Sequence, residues 1–588
     1  MNFRLIIRLL GFVADFLGLS MLFSLPWAFA PFGGNWEQER TGFVALLSSA
    51  IFSVVIGELL RFLGRAVKND RLLRYESIAV VPLSWILAIL LSAMPLLLSG
   101  TEIRPGVPMS VADAIFEATS GITTTGATVL ANIEDPASVP RTILFWRATT
   151  HFLGGLGFMV LFVILFGRGV AGKTMLNAEL GQFSTGSPMQ VQRVARQVSF
   201  LYVGMAAVLT ILLIICGLSV FDAICHAFST LSTGGFSTYN GSIGHFITDP
   251  HCKGIVIEWI IIVFMILAGS RFPLLLDLLL GKPKELLRDT EWHSYLQIIV
   301  VATLVVFVSG IICSDFEIYG TENVPIVETE NGLLPWPTAL RITLFQVVSV
   351  MTGTGFCLDE YERWNGLALL IFIHLMFIGG CSGSTTGGTK VIRNMIAFRS
   401  ISREIGRAHR PNLVQATVQV GKSSYEIGAL SAIMTYLCTF LVSVLLVAFI
   451  AMIFEPMHNS PLTNNTADNT ANGALNNGDI ANNVANNITG DNITGDNVTG
   501  DNVTGDVANN ITNDIDSYDE GGRVINAITA SLSMFANVGP AFGPFGAKEN
   551  YGFLCTKVKL LFSWAMFMGR LDLYLPILLF SPAFWKRR

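Results

Sequence analysis

The sequence predicts an all-α polytopic membrane protein, with four pseudo-symmetric helix–pore loop–helix repeats around a central pore and an N-terminal two-helix hairpin. Three observations predict it. The 588 residues are 52% hydrophobic and only 13% charged, against about 25% charged in ordinary soluble domains. Apolar runs of membrane-spanning length recur along most of the chain. A short, more polar motif ending in glycine recurs four times, each time between two of those runs.

The apolar runs lie at 9–29, 43–63, 78–98, 142–166, 199–218, 255–280, 296–313, 367–388, 427–453 and 554–580. They predict about ten transmembrane helices, with both termini on one side. Backbone groups in lipid must be satisfied internally, and runs this long and apolar suit helices rather than barrel strands. The first run has no small-residue cleavage site and is followed by many more spans, so it reads as a helix rather than a leader. Residues 1–75 form the hairpin. The repeats then occupy 76–172, 195–285, 290–410 and 420–588.

Basic residues cluster in alternate connections: Arg61 to Arg74, then Lys173 with Arg193 and Arg196, then Lys282 to Arg288, then Arg393 to Arg410. More lie at both ends, Arg4 and Arg8 and then Lys586 to Arg588. The positive-inside rule places these connections and both termini in the cytoplasm of a plasma (inner) membrane protein, surrounded by lipid. The net charge of −5 says little about partners. The eight cysteines are scattered without a CxxC pair and read as packing residues. One external stretch, about 459–520, is rich in Asn, Asp, Thr and Gly and repeats Asn-Ile/Val-Thr-Gly-Asp around Asn492, Asn497 and Asn502. It cannot bury a core and is expected to be a disordered insert without a transport role. Its Asn-x-Thr sequons, at Asn487 and Asn492 among others, are candidate glycosylation acceptors.

The four motifs align without a gap on their last glycine: Asp113 to Gly126, Asp222 to Gly235, Ile342 to Gly355 and Asn526 to Gly539. A serine stands six residues before that glycine in each: Ser120, Ser229, Ser349 and Ser533. Each motif is too short to span a bilayer, so each is expected to enter as a helix of about three turns and return as irregular chain. Irregular backbone at membrane depth is tolerated where protein buries it or where it lines a wet cavity. Four such loops suggest a ring. Glycine reaches dihedrals closed to other residues, and alternating handedness can aim successive carbonyl oxygens at one axis. Carbonyl rings that replace a cation's hydration shell are how potassium filters work, and the negative C-terminal ends of the short helices favour a cation. Tight turns between hairpin helices would explain the glycines but not the shared helix before them.

On these residues the chain resembles the Trk/Ktr/HKT superfamily of potassium transporters, TrkH type, over nearly its whole length. The motifs are Thr123-TTGA, Thr233-GGFS, Thr352-GTGF and Asn537-VGPAFG, with Trp146-RATTHFLGGLG and Phe567-MGRLDLYLP. The resemblance implies filter glycines at Gly126, Gly235, Gly355 and Gly539, within ion-binding segments Thr124, Thr125, Gly126; Thr233, Gly234, Gly235; Gly353, Thr354, Gly355; and Asn537, Val538, Gly539. Glycine rather than serine in the first loop goes with potassium preference in the superfamily. The resemblance further implies a separate cytoplasmic nucleotide-binding regulatory subunit, for which the basic stretch Arg393 to Arg410 is a docking candidate, and a homodimer.

Between Gly379 and Thr389 five glycines and several hydroxyls interrupt an apolar run. That composition should break a helix, and broken helices often mark transport sites. Close packing through small residues is the plainer alternative. In the family the matching segment is an intramembrane loop that blocks the pore, so Gly379, Gly380, Gly383, Gly387 and Gly388 are candidate gating residues. Arg570 lies mid-span, where a charge normally faces a partner or a wet cavity. The matching family arginine contacts the gating loop, while Asp572 offers a purely structural partner. Lys390 fits either the gate or the cytoplasmic end of its helix. Arg271 departs from the family, which has a small or amide residue there; lining the inner cavity and snorkelling to the surface both remain open.

Glu117 and His226, nine residues before their glycines, are expected to brace the loops rather than bind ions. His151 and His374 read as structural histidines. Asp359, Glu360 and Glu362 fall at the outer mouth, as weak cation attractors or as a solvated loop. There is no Walker A sequence, HExxH or nucleophile–base set. An enzyme, a covalently bound cofactor and a nucleic-acid partner are therefore not expected. A potassium uptake pore, with the ion as substrate, and a secondary transporter coupling potassium to sodium or protons both fit the motifs.

Overall fold

The computed structural model of the chain describes residues 2–65, 74–157, 188–313, 336–409, 417–420, 423–455 and 521–586. The Asn-rich insert, its sequons, Lys173, Arg410 and the far half of the 142–166 run lie outside them.

Six described helices are long and apolar enough to cross a membrane: Phe3–Ala28, Trp36–Leu63, Ile78–Leu98, Arg193–Ile215, Thr290–Cys313 and Gly428–Phe454. Their outer faces are exposed and apolar, as at Val301, Leu304 and Val308. With no polar solvent to oppose it, that is a lipid-facing surface. The first helix begins earlier than its apolar run, at Phe3, because Asn2 caps it: its side chain accepts the Leu5 N–H.

The other expected spans are interrupted. The 255–280 run divides into Gly254–Ala268 and Phe272–Leu279, bent by 108°. Gly269 ends the first piece, Arg271 is the extended residue that caps the second (φ −70°, ψ 112°), and Pro273 sits in the first turn of the second, where its missing N–H costs no helical bond. The 367–388 run is helical only over Gly366–Ile378. The 554–580 run is helical over Thr556–Arg570 and again over Tyr574–Leu579. The 142–166 run starts as Arg141–Phe152 and loosens into a π turn at Leu153–Gly157.

Between these elements stand four shorter helices: Val111–Ile122, Val220–Leu231, Trp336–Thr352 and 521–536. The first two start at Ser-x-x-Asp caps. Ser110 and Asp113 form a reciprocal capping box, and Ser219 accepts the N–H of Asp222. The four are almost wholly buried toward their C-termini. The N-terminal hairpin packs closely through glycine, since a Cβ on Gly11 would meet the Gly57 carbonyl at 2.6 Å. Its Glu39 docks on the first repeat by accepting the N–H groups of Arg141 (2.7 Å) and Thr142 (3.1 Å) at a helix start. Among the described residues the strands form two small hairpins, 102–104 with 107–108 and 417–420 with 423–426.

Candidate functional site: a ring of four loops and the loop beside it

Each short helix ends in an extended segment whose backbone repeats one conformation. φ is positive at Thr124, Thr233, Gly353 and Asn537 (+54°, +55°, +69°, +53°) and again two residues later at Gly126, Gly235, Gly355 and Gly539 (+83°, +81°, +75°, +96°). The residue between them, Thr125, Gly234, Thr354 or Val538, is not in that region. Alternation of this kind turns successive carbonyls toward one side. In every loop the middle residue donates its N–H to the carbonyl of the shared serine, at 2.9 Å to Ser120, Ser229 and Ser349 and 3.0 Å to Ser533.

The loops close on one another in order. A Cβ on Gly126 would collide with the carbonyl oxygen of Gly234, one on Gly235 with that of Thr354, one on Gly355 with that of Val538, and one on Gly539 with that of Thr125. The contact runs one to two to three to four and back to one, which defines a four-cornered ring with a carbonyl packed on each glycine. Glycine is required twice over here, by its dihedral and by the missing side chain. Loops four and one are also joined by a side chain, because Asn537 donates to Thr125 Oγ1 (2.9 Å) and to the Met566 carbonyl (3.0 Å).

Bracing comes from behind. Glu117 accepts the Val129 N–H (2.9 Å) and the Thr128 hydroxyl (3.0 Å), and pairs with the buried Arg147 (2.7 Å). His226 Nε2 meets Ser237 Oγ at 3.0 Å. Both therefore hold the strand that leaves their own loop, as the sequence led us to expect. Gln346, at the same register in the third helix, does likewise through Leu358 and Asp359. His151 lies behind loop two, with Nδ1 2.8 Å from the Gly121 carbonyl and its ring stacked on Phe236, in keeping with a structural histidine.

The segment from Gly379 to Lys390 is non-helical and lies against the ring. Gly379, Gly383, Gly388 and Lys390 all have positive φ. A Cβ on Gly387 would collide with the Ala536 carbonyl. Thr233 and Thr385 hydroxyls lie 3.4 Å apart. The segment fills the break in the bent helix: Cys381 donates to the Gly269 carbonyl (2.9 Å), Phe272 donates to Gly383 (3.2 Å), and Thr385 donates to Ala268 (3.3 Å) and to Leu231 (3.1 Å). Backbone groups freed by a broken helix are thus satisfied by another element. Gly380 donates to Thr386 Oγ1 (3.2 Å) and accepts from Val391 (3.0 Å). Glu291 accepts the Ser382 N–H at 2.6 Å.

Arg570 reaches the same segment. It donates to the Thr385 carbonyl (2.6 Å) and to those of Gly154 (2.9 Å) and Gly155 (2.7 Å). It therefore joins three repeats. Asp572 instead takes Arg393 in a two-pronged pair at 2.8 and 3.1 Å. Lys390 turns back on its own loop, donating to the Thr386 carbonyl and to its hydroxyl. Arg271, at the helix break, pairs with Asp289 (3.2 Å) and more loosely with Glu291 (3.8 Å).

The sequence reading missed the carbonyls of Gly154, Gly155, Ala268, Gly269 and Leu231. The Gly-Ser-Arg-Phe-Pro run at 269–273 was the available signal for the break. Outside the ring, Glu362 accepts the Ala547 N–H at 3.4 Å, and burial pushes its carboxyl up to about 7.

Residues 44–461 match the family model TrkH, described as a cation transport protein. The chain belongs to the TrkH family. It is 32% identical over 76% of its length to the Trk system potassium uptake protein TrkH of Salmonella typhimurium, covering 86% of that protein. It is 28% identical to the TrkH protein of Halomonas elongata over the full length of both chains. It shares its fold with the crystal structure of the potassium transporter TrkH from Vibrio parahaemolyticus, with a TM-score of 0.73, 24% identity and full coverage of both chains. These TrkH relatives are named as transporters, which points away from an enzyme. The matched span ends before the fourth loop and Arg570, so for those parts the full-length Halomonas alignment carries the family relation.

Proposed function

We propose that this TrkH-family chain takes up potassium ions across the plasma membrane, selecting them at the four-loop ring and gating them at the 379–390 segment. The observation that carries the reading is the closed circuit of backbone carbonyls and glycines between loops one to four. A ring of carbonyl oxygens can replace the hydration shell of a cation. The negative ends of the four short helices point the same way, and relatives are named for potassium uptake.

In this reading Thr124–Gly126, Thr233–Gly235, Gly353–Gly355 and Asn537–Gly539 are the filter. The glycines at 379, 380, 383, 387 and 388, with Lys390, form the gate, and Arg570 holds it shut while placing positive charge below the filter. The repeats divide as at 76–172, 195–285, 290–410 and 420–588, after the 1–75 hairpin. Both termini are cytoplasmic. A cytoplasmic nucleotide-binding subunit docks on the basic helix Val391–His409, and the chain pairs as a homodimer.

The test is rubidium-86 uptake into proteoliposomes against competing potassium and sodium, beside Gly126→Ser. Uptake blocked by potassium and not by sodium, with that discrimination lost in the variant, supports the filter. Uptake indifferent to the substitution rejects it.

A further inference from the structure

We propose that Tyr551 is the positioning residue of the fourth filter corner, holding the Gly539 carbonyl by a hydrogen bond that no other corner has. The inference rests on the filter reading above and concerns how one of its four corners is kept in place.

Loops one to three share a device. Nine residues before the glycine, the short helix carries Glu117, His226 or Gln346, and each bonds to the strand leaving its loop. The fourth helix has Ala530 at that position, fully buried and without a polar group. The brace is absent just where the chain also carries Val538 in place of a hydroxyl or glycine.

Tyr551 supplies a different support. Its hydroxyl donates to the Gly539 carbonyl at 2.8 Å. Among the described residues the carbonyls of Gly126, Gly235 and Gly355 have no such side-chain donor. The tyrosine is itself held firmly. It is 2% exposed, stacks on Phe545 at 4.8 Å and meets Phe116 and Phe562. Its N–H donates to the Thr128 carbonyl at 2.8 Å, so the support ties the fourth corner to the strand leaving loop one.

A carbonyl oxygen has two lone pairs. The phenol occupies one and leaves the other for a cation, while fixing where the oxygen stands. A site of this kind loses its preference when a ligand moves by about an ångström, so selectivity should depend on this bond more than rate does.

Tyr551→Phe keeps the ring packing and removes only the donor. Rubidium-86 uptake by the full chain in proteoliposomes, with sodium and with potassium as competitors, reads the result beside Gly126→Ser. We expect the ratio of the two inhibition constants to shift toward sodium by roughly three- to tenfold, the scale of one hydrogen bond. An unchanged ratio overturns the inference, as does loss of uptake without a change in the ratio, which marks a merely structural role. If Gly126→Ser alters the ratio and Tyr551→Phe does not, the filter stands and this inference fails. If neither does, the filter reading fails first.

Discussion

Two glycine-rich stretches of irregular backbone lie in contact near the middle of this protein, and they are held in different ways. In the ring, each glycine is locked by a carbonyl of the neighbouring loop, each preceding N–H is fixed to a serine carbonyl, and three loops are braced by their own short helix. Those contacts are backbone or buried, and none can be exchanged without taking the ring apart. The 379–390 segment has backbone bonds to Gly269 and Phe272, and the rest of its support comes through side chains: the Arg570 guanidinium on the Thr385 carbonyl, the Thr385 hydroxyl on Leu231 and Ala268, and the Glu291 carboxylate on the Ser382 N–H. Side-chain bonds of this sort can be given up one at a time. In the proposed function the same residue type serves a fixed aperture in one place and a releasable plug in the other.

The sharpest way to break this comparison is Gly235→Ala. The new Cβ must sit at positive φ and on the Thr354 carbonyl; the dihedral alone costs about 1–2 kcal/mol. Rubidium uptake should be abolished, and normal uptake would mean that the ring is loosely packed.

Arg570→Ala should act in the opposite direction. It removes three charge-assisted bonds, each worth about 1.5–3 kcal/mol, along with the positive charge that the proposed function places below the filter. Uptake should rise on the order of tenfold with potassium preference intact. Lower uptake would show that Arg570 supports the fold instead of restraining the loop. Thr385→Val removes two weaker bonds, at 3.1 and 3.3 Å. A rise of only a few-fold is expected, in line with about 1 kcal/mol for a neutral hydrogen bond; a larger response than that of Arg570→Ala would reverse the assignment.

The smallest effect lies at the outer rim. Glu362 has its carboxyl raised by burial to about 7 from an ordinary 4.5. The folded form therefore binds the proton more tightly than the unfolded chain does. Its stabilising share is present below about 4.5 and is lost as pH rises through 7. Melting temperature should fall over that window, and Glu362→Gln should flatten the slope. An unchanged slope would show that Glu362 is as well solvated as in free solution.

Much of this was legible in the residues. The motif spacing located all four ring glycines and the register of Glu117 and His226, because a helix followed by a tight loop leaves a fixed count between brace and corner. The glycine run at 379–388 announced a broken helix. What the residues could not carry is who meets whom across the fold. Asp572, two residues from Arg570, was a plausible partner in sequence but takes Arg393, which is 179 positions away. No partner for Arg271 could be named from its run, and in the fold it pairs with Asp289. The run 255–280 is apolar enough to look continuous, and only Gly269 and Pro273 hint at the 108° bend.

The sequence alone determined that the chain is a helical membrane protein with four related loops, because lipid admits few backbone solutions and glycine is read directly. The tertiary structure decided that the loops close in the order one to four, that the broken third-repeat helix fills the break in the second, that Tyr551 bonds to the Gly539 carbonyl, and that Arg570 ties the 379–390 segment to Gly154 and Gly155. These are contacts between residues far apart in the chain. They depend on the packing of whole helices, and no local pattern encodes that.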